Sequence, residues 1–259
     1  MTAVWIILAA LLAVVLLGTV LFLIACRRGP VPDLTKPEVI AKWGRAEQTE
    51  EILAGVRLMQ DAENIFLPSY DGLRLHGRLL QQPGAKGTIL LFHGYRSSWV
   101  IEFSIVLPYY FTLGYNLLAV DERAHGESEG TYITFGVRER HDVATWAAYA
   151  AMHFGPAHPL ILDGLSMGAA TVLMASEREV SATEAVAHTK LPILFIHGTG
   201  DQFVPCSMSQ AAYDACTGEK RLILVEGAGH GQSYLVDRPR VQAAVREFLT
   251  DYVLQEVST

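Results

Sequence analysis

The apolar and polar positions divide the chain into three stretches of different texture. From Ala3 to Cys26 the sequence AVWIILAALLAVVLLGTVLFLIAC runs 24 residues without a charge, and a helix needs roughly 20 apolar residues to cross a bilayer. Met1 and Thr2 bring no basic side chain and the run is long, so an uncleaved membrane anchor over residues 1–28 fits better than a cleaved secretory signal. Residues 29–62 carry Pro30, Pro32 and Pro37, then a polar stretch with Ile52, Leu53 and Val56, which predicts a short linker and one helix. Residues 63–259 read as one domain of short apolar runs broken by turns.

Within that domain Leu73, Leu75, Gly77 and Leu79 alternate after Asp71-Gly72, predicting a hairpin with the run Ile65-Phe66-Leu67. Thr88 to Phe92 is continuously apolar apart from its first residue, as a strand buried on both faces must be. Helix and strand patterns then alternate. The spacing predicts a helix over 101–113, a strand over 116–121, a helix over 136–154 and a strand over 160–163. After Ser166 it predicts a helix, strands over 191–197 and 221–225, and a closing helix over 240–253. An antiparallel hairpin followed by this alternation predicts an α/β fold, mostly parallel, with helices on both faces. In such sheets the chemistry collects at the carboxyl ends of the strands. His93, Asp121, Ser166, Asp201 and His230 each close or follow an apolar run there.

Charge and cysteine content narrow the classes. A formal net charge of −7 without clustered Lys and Arg argues against a nucleic-acid partner. Cys26, Cys206 and Cys216 have no metal-ligand spacing, so no zinc site or disulfide framework is expected, with a Cys206–Cys216 pair the minor alternative. Arg27 and Arg28 directly follow the apolar run, and basic flanks stay cytoplasmic. The expectation is a single-pass membrane protein with its main domain in the cytoplasm. Leu23-Ile24-Ala25-Cys26 also resembles a bacterial lipobox, which would put the domain outside.

Gly164-Leu165-Ser166-Met167-Gly168 is G-x-S-x-G between a strand and a helix. Small residues on both sides let the backbone turn tightly enough to lift the serine above the sheet. A serine is a poor nucleophile alone and needs a histidine base oriented by a carboxylate. The order serine, acid, histidine selects Asp201, beyond the 191–197 strand, and His230, which lies 29 residues later between Gly229 and Gly231. His125, in the loop Asp121 to Ser128, is the rival base. His93 and His197 each precede a glycine and read as turn-stabilising; His76, His141, His153, His158 and His188 read as surface or packing residues. An oxyanion needs two backbone donors. Met167 supplies one by position, and Tyr95, after His93-Gly94, is the best-placed second. The partner implied by this set is a small-molecule acyl compound.

The ordered motifs His93-Gly94-Tyr95-Arg96-Ser97-Ser98, Asp121-x-Arg123-x-His125-Gly126-x-Ser128, Gly164 to Gly168, His197-Gly198-x-x-Asp201-x-x-Val204-Pro205 and Gly229-His230 resemble the bacterial α/β hydrolases of the serine aminopeptidase (S33)-like group. The likeness covers about residues 60–253. It implies the α/β-hydrolase fold and an ester or amide hydrolase without cofactor, and it names no substrate. Many members of the group also carry an N-terminal anchor.

The chain departs from that group in one place. Only 35 positions separate Ser166 from Asp201, where family members usually hold a further sheet strand and a helical cap. The sequence instead offers Ser181-x-x-Glu184, a capping-box pattern for a short helix, and then the 191–197 strand. Two outcomes are expected: that strand takes the vacant place, or a gap remains beside the Ser166 strand. A non-catalytic truncation that keeps the motifs without their geometry is the competing reading.

Overall fold

The computed structural model describes residues 2–34, 36–177 and 181–253, with the side chain of Thr2 left out. Residues 254–259, assigned to the domain by sequence, lie outside the described residues. An exposed helix α1 (Thr2–Cys26) precedes the domain. Its segment Ala3–Cys26 is long and apolar enough to cross a membrane. Two helices follow where the sequence predicts one: α2 (Pro37–Lys42) and α3 (Thr49–Leu58), separated by a single 3-10 turn at Ala46–Gln48. Gly44, with φ of 71°, breaks the helical path between them.

The sheet strands are β1 (Glu63–Pro68), β2 (Arg74–Leu80) and β3 (Thr88–Phe92), then β4 (Asn116–Asp121) after helices α4 (Trp99–Phe103) and α5 (Leu107–Thr112). The segment expected as one helix is thus two. Pro108 has no amide to donate and is tolerated in a first turn, so a new helix starts at Leu107. Helix α6 (Glu139–Phe154), strand β5 (Leu160–Gly164), α7 (Met167–Glu177) and α8 (Ala182–His188) come next. The Ser181 side chain caps α8 by accepting from the Glu184 amide, as the capping-box pattern predicts. Strand β6 (Ile193–Gly198), α9 (Cys206–Ala215), β7 (Lys220–Val225), α10 (Ser233–Val236) and α11 (Arg238–Tyr252) complete the fold. All three cysteines are free, which removes the disulfide alternative.

Five strands form one sheet in the order β1-β2-β4-β3-β5, and β6 and β7 form a separate pair. The pairings β1–β2 and β2–β4 are antiparallel; β3–β4, β3–β5 and β6–β7 are parallel. Alternation of side chains across β3 and β4 builds two cores at once. Ile89, Leu91, Leu117 and Ala119 face Met59, Trp99, Phe103, Leu107 and Leu249, while Leu90, Phe92, Leu118 and Val120 face Val143, Trp146 and Ala150.

The gap outcome is the one observed. β5 and β6 are not hydrogen-bonded to each other, so the Ser166 strand and the Asp201 strand each keep an open edge. Helices staple the two sheets together instead. Tyr234 and Val245 touch both the core of the larger sheet and the Val225–Ala228–Val241 cluster of the pair. On the other face α7 places Val172 and Ala175 in one core and Leu173 against Val186 and Phe195 in the other.

Candidate active site

Ser166 sits at the turn between β5 and α7 with φ of 56°, a left-handed conformation that a non-glycine residue adopts at a cost. The flanking glycines are required by close approach. A Cβ on Gly164 would overlap the Gly168 carbonyl oxygen, and one on Gly168 would overlap the Phe92 carbonyl oxygen. That fit lets α7 begin directly above β3 and leaves its first amides facing the serine.

The structure brings Ser166, His230 and Asp201 together across the gap. The Ser166 hydroxyl donates to His230 Nε2 at 2.9 Å, and His230 Nδ1–H donates to Asp201 Oδ2 at 2.7 Å. Asp201 is buried, and its other oxygen accepts from the Phe203 and Val204 amides, each at 2.9 Å. Burial pushes its carboxyl up, but those two amides and the His230 ring outweigh it and hold it below the usual carboxylate range. His197 stands behind it, with Nε2 at 3.2 Å from Asp201 Oδ2 and hydrogen-bonded to the Val204 carbonyl at 3.0 Å.

The rival base is occupied otherwise. His125 Nδ1–H donates to the Arg123 carbonyl and Nε2 accepts from the Arg96 amide at 3.0 Å, so neither nitrogen faces Ser166. Burial, reinforced by neighbouring His93, pushes its pKa down to about 3. His93 is arranged alike: Nδ1–H donates to the Gly94 carbonyl and Nε2 accepts from the Glu122 amide. These two neutral rings, 4.8 Å apart and edge to face, fix the backbone on either side of Tyr95. Among the described residues neither the Tyr95 amide nor the Met167 amide has an acceptor.

Glu102 is the site residue that sequence reasoning missed. From α4 it accepts the Gly94 amide at 2.6 Å, and a Cβ on Gly94 would lie 3.0 Å from its Oε1 and 3.2 Å from Ser166 Cβ. Burial pushes its carboxyl up to about 7, against the opposing pull of Gly94, Ser97, Arg45 and His230. A glutamate inside a short helical pattern gives no signal of this. Asp121, at the end of β4, pairs with buried His76 at 2.8 Å and accepts the Glu127 amide, which shapes the 121–128 loop. Among the described residues no group of three His, Cys, Asp or Glu side chains is arranged to hold a metal ion.

This architecture has known counterparts. The Pyrococcus furiosus esterase Pf2001 superposes with a TM-score of 0.68 at 22% identity, covering 76% of this chain and 95% of the esterase. Est1E of Butyrivibrio proteoclasticus, solved with ferulic acid bound, gives 0.63 at 18% identity over 73% of this chain and 99% of its own. The chain has the α/β-hydrolase fold. Residues 166–256 of this α/β-hydrolase-fold chain also match the family described as TAP-like protein. An uncharacterized Bacillus subtilis protein, YqkD, is 23% identical over 237 residues, covering 71% of this chain and 77% of YqkD. That alignment is longer than the stretch of this chain it covers, so YqkD carries residues within it that this chain lacks. A Mycobacterium tuberculosis protein, Rv2307c, is 35% identical over 68 residues, 26% of this chain and 24% of its own.

Proposed function

We propose that the chain is a serine hydrolase that cleaves carboxylic esters through an acyl-enzyme. The observation that carries this reading is the continuous hydrogen-bond relay from Ser166 through His230 to Asp201. Ser166 Oγ attacks the ester carbonyl while His230 Nε2 takes its proton, and Asp201 stabilises the imidazolium that forms. The oxyanion of the tetrahedral intermediate accepts from the amides of Tyr95 and Met167. Its collapse breaks the bond to the alkoxy group, which leaves as an alcohol carrying the proton from His230. Water, deprotonated by the same nitrogen, then attacks the acyl-enzyme, releasing the carboxylic acid and restoring Ser166.

The esterases that share the fold, one of them solved with ferulic acid, support an ester as the substrate class. The truncation reading requires the motifs without their geometry, and a 2.9 Å serine–histidine contact speaks against it. The apolar α1, followed by Arg27 and Arg28, supports a single-pass membrane protein with the domain in the cytoplasm. The test is hydrolysis of short p-nitrophenyl esters by the full-length protein in detergent. The wild type should turn over and Ser166→Ala should not. Equal rates for wild type and Ser166→Ala would end this reading.

A further inference from the structure

Helix α1 ends on the rim of the candidate active site. A helix leaves its last four carbonyls without intrahelical donors, and here each one finds a donor. Leu23 O accepts from the Arg27 amide, Ile24 O from the Arg96 guanidinium at 2.6 Å, Ala25 O from the Tyr95 hydroxyl at 2.7 Å, and Cys26 O from the Ile133 amide at 2.6 Å. The last three donors belong to the two loops that frame Ser166. Arg28 continues the attachment, its guanidinium donating to the carbonyls of Ser128 and Gly126 in the loop that holds His125. Among the described residues the non-glycine residues with positive φ are Arg96, Ala124, Phe135 and Ser166. All lie in the loops of this rim, so backbone strain is concentrated where the helix docks.

Three exposed aromatic side chains stand around the junction and the Ser166–His230 pair. Phe135 stacks on Tyr95 at 5.1 Å, Tyr132 meets Phe22 of α1 at 5.2 Å, and Phe203 packs edge-on against His230 at 5.1 Å. These three are 45%, 41% and 77% exposed. Between α7 and β6 the described residues contain only the seven-residue α8, so no cap covers them. The 24-residue apolar segment is about 36 Å long as a helix, against a hydrocarbon core of about 30 Å. With α1 spanning a bilayer, the turn next to Arg27 and Arg28 is the one set at the lipid interface, where tyrosine and arginine settle.

We propose that the docked end of α1 holds the mouth of the Ser166 site against the membrane, and that the substrate is a long-chain acyl ester resident in the bilayer, entering across the rim of Tyr132, Phe135 and Phe203. The inference rests on the serine-hydrolase reading above. Lipid takes the place of the missing roof: the acyl chain stays in an apolar phase while its carbonyl reaches Ser166, and the rim loses apolar exposure to water.

The test uses full-length protein in dioleoylphosphatidylcholine vesicles with two esters of one leaving group. 4-Methylumbelliferyl butyrate reaches the site from water, and 4-methylumbelliferyl oleate resides in the bilayer. One variant inserts about 20 glycine and serine residues between Cys26 and Arg27, a reach of roughly 25 Å, and adds Arg96→Gln to release the helix end. A second is Phe135→Ser. The oleate-to-butyrate rate ratio should fall by about tenfold in the insertion variant, because the site loses the local concentration its tether imposes. It should fall several-fold in Phe135→Ser. Should the insertion variant lose both activities, Phe135→Ser decides. A ratio unchanged in the folded variants overturns the proposal, and a rim serving a protein partner or a second copy gives that result in pure vesicles. A wild type that cleaves neither ester instead removes the hydrolase reading itself.

Discussion

The larger sheet and the β6–β7 pair are built from similar apolar runs and end up differently buried. Every residue of β3 and β4 is buried, whereas β6 is mostly half-exposed and β7 is half-exposed until Val225. β5 stands between, half-exposed throughout because it has a neighbour on one edge only. The difference shows that Ser166, His230 and Asp201 come into hydrogen-bond contact without an unbroken sheet beneath them. Ser166 belongs to one sheet and Asp201 and His230 to the other, and their spacing is set by helices α7 and α11 packing across both.

The sharpest way to break the comparison is at the relay that crosses it. Asp201→Asn should lower kcat by about 10⁴-fold, as loss of the orienting carboxylate does in related triads, with the melting temperature little changed. His125→Ala should have a much weaker effect, since its ring holds the Arg96 amide and not the serine. Ester kinetics beside a thermal melt separate these outcomes.

Buried ion pairing comes next. Arg123, 2% exposed in its side chain, is held by Asp142 and Asp71 beside the larger sheet, and removing one partner from such a cluster costs about 3–5 kcal/mol. Arg123→Met should therefore lower the urea midpoint strongly. The counterpart on the smaller sheet, Arg221 with Asp251, is half-exposed, and Arg221→Met should leave the midpoint nearly in place. Hydrogen exchange extends the contrast: amides of β3 and β4 should exchange only through global unfolding, and those of β5, β6 and β7 measurably faster through local opening.

The smallest expected effect is protonic. Glu102 carries a folded-state pKa of about 7 against an ordinary value of 4.5. The folded state thus binds this proton more tightly than the unfolded chain, so stability falls as pH rises from 4.5 to about 7 and is flat above. Glu102→Gln keeps an acceptor for the Gly94 amide and removes the titration. Its stability relative to wild type should rise through that window by an amount on the order of 1–3 kcal/mol, read from urea melts at pH 4.5 and 8. A constant difference across those pH values would contradict the assignment.

Much of this is legible in the sequence. Continuous apolar runs located the strands, and Ser166, Asp201 and His230 followed from their chain order and strand-end positions. Helix α9 was not foreseen, because Cys206–Ala215 is small and polar with no buried residue to make a stripe. The choice between a closed sheet and a gap was equally hidden, since the partner of a strand edge is set by packing far away in sequence. The docking of α1 had no local signal, for it depends on Tyr95, Arg96 and Ile133 meeting the backbone carbonyls of Ala25, Ile24 and Cys26, far earlier in the chain. The histidines divided as their neighbours dictate: those before glycines stabilise turns, and the one between two glycines faces the serine.

The central claim is that two sheets left unpaired still assemble one working site. Active-site titration of the full-length protein with a fluorophosphonate, read by intact mass, measures this directly. The account predicts that nearly every folded chain takes up a single adduct, on Ser166, and that Ser166→Ala takes up none. A well-folded wild type that remains largely unlabelled, with its hydrogen-exchange protection intact, would contradict it.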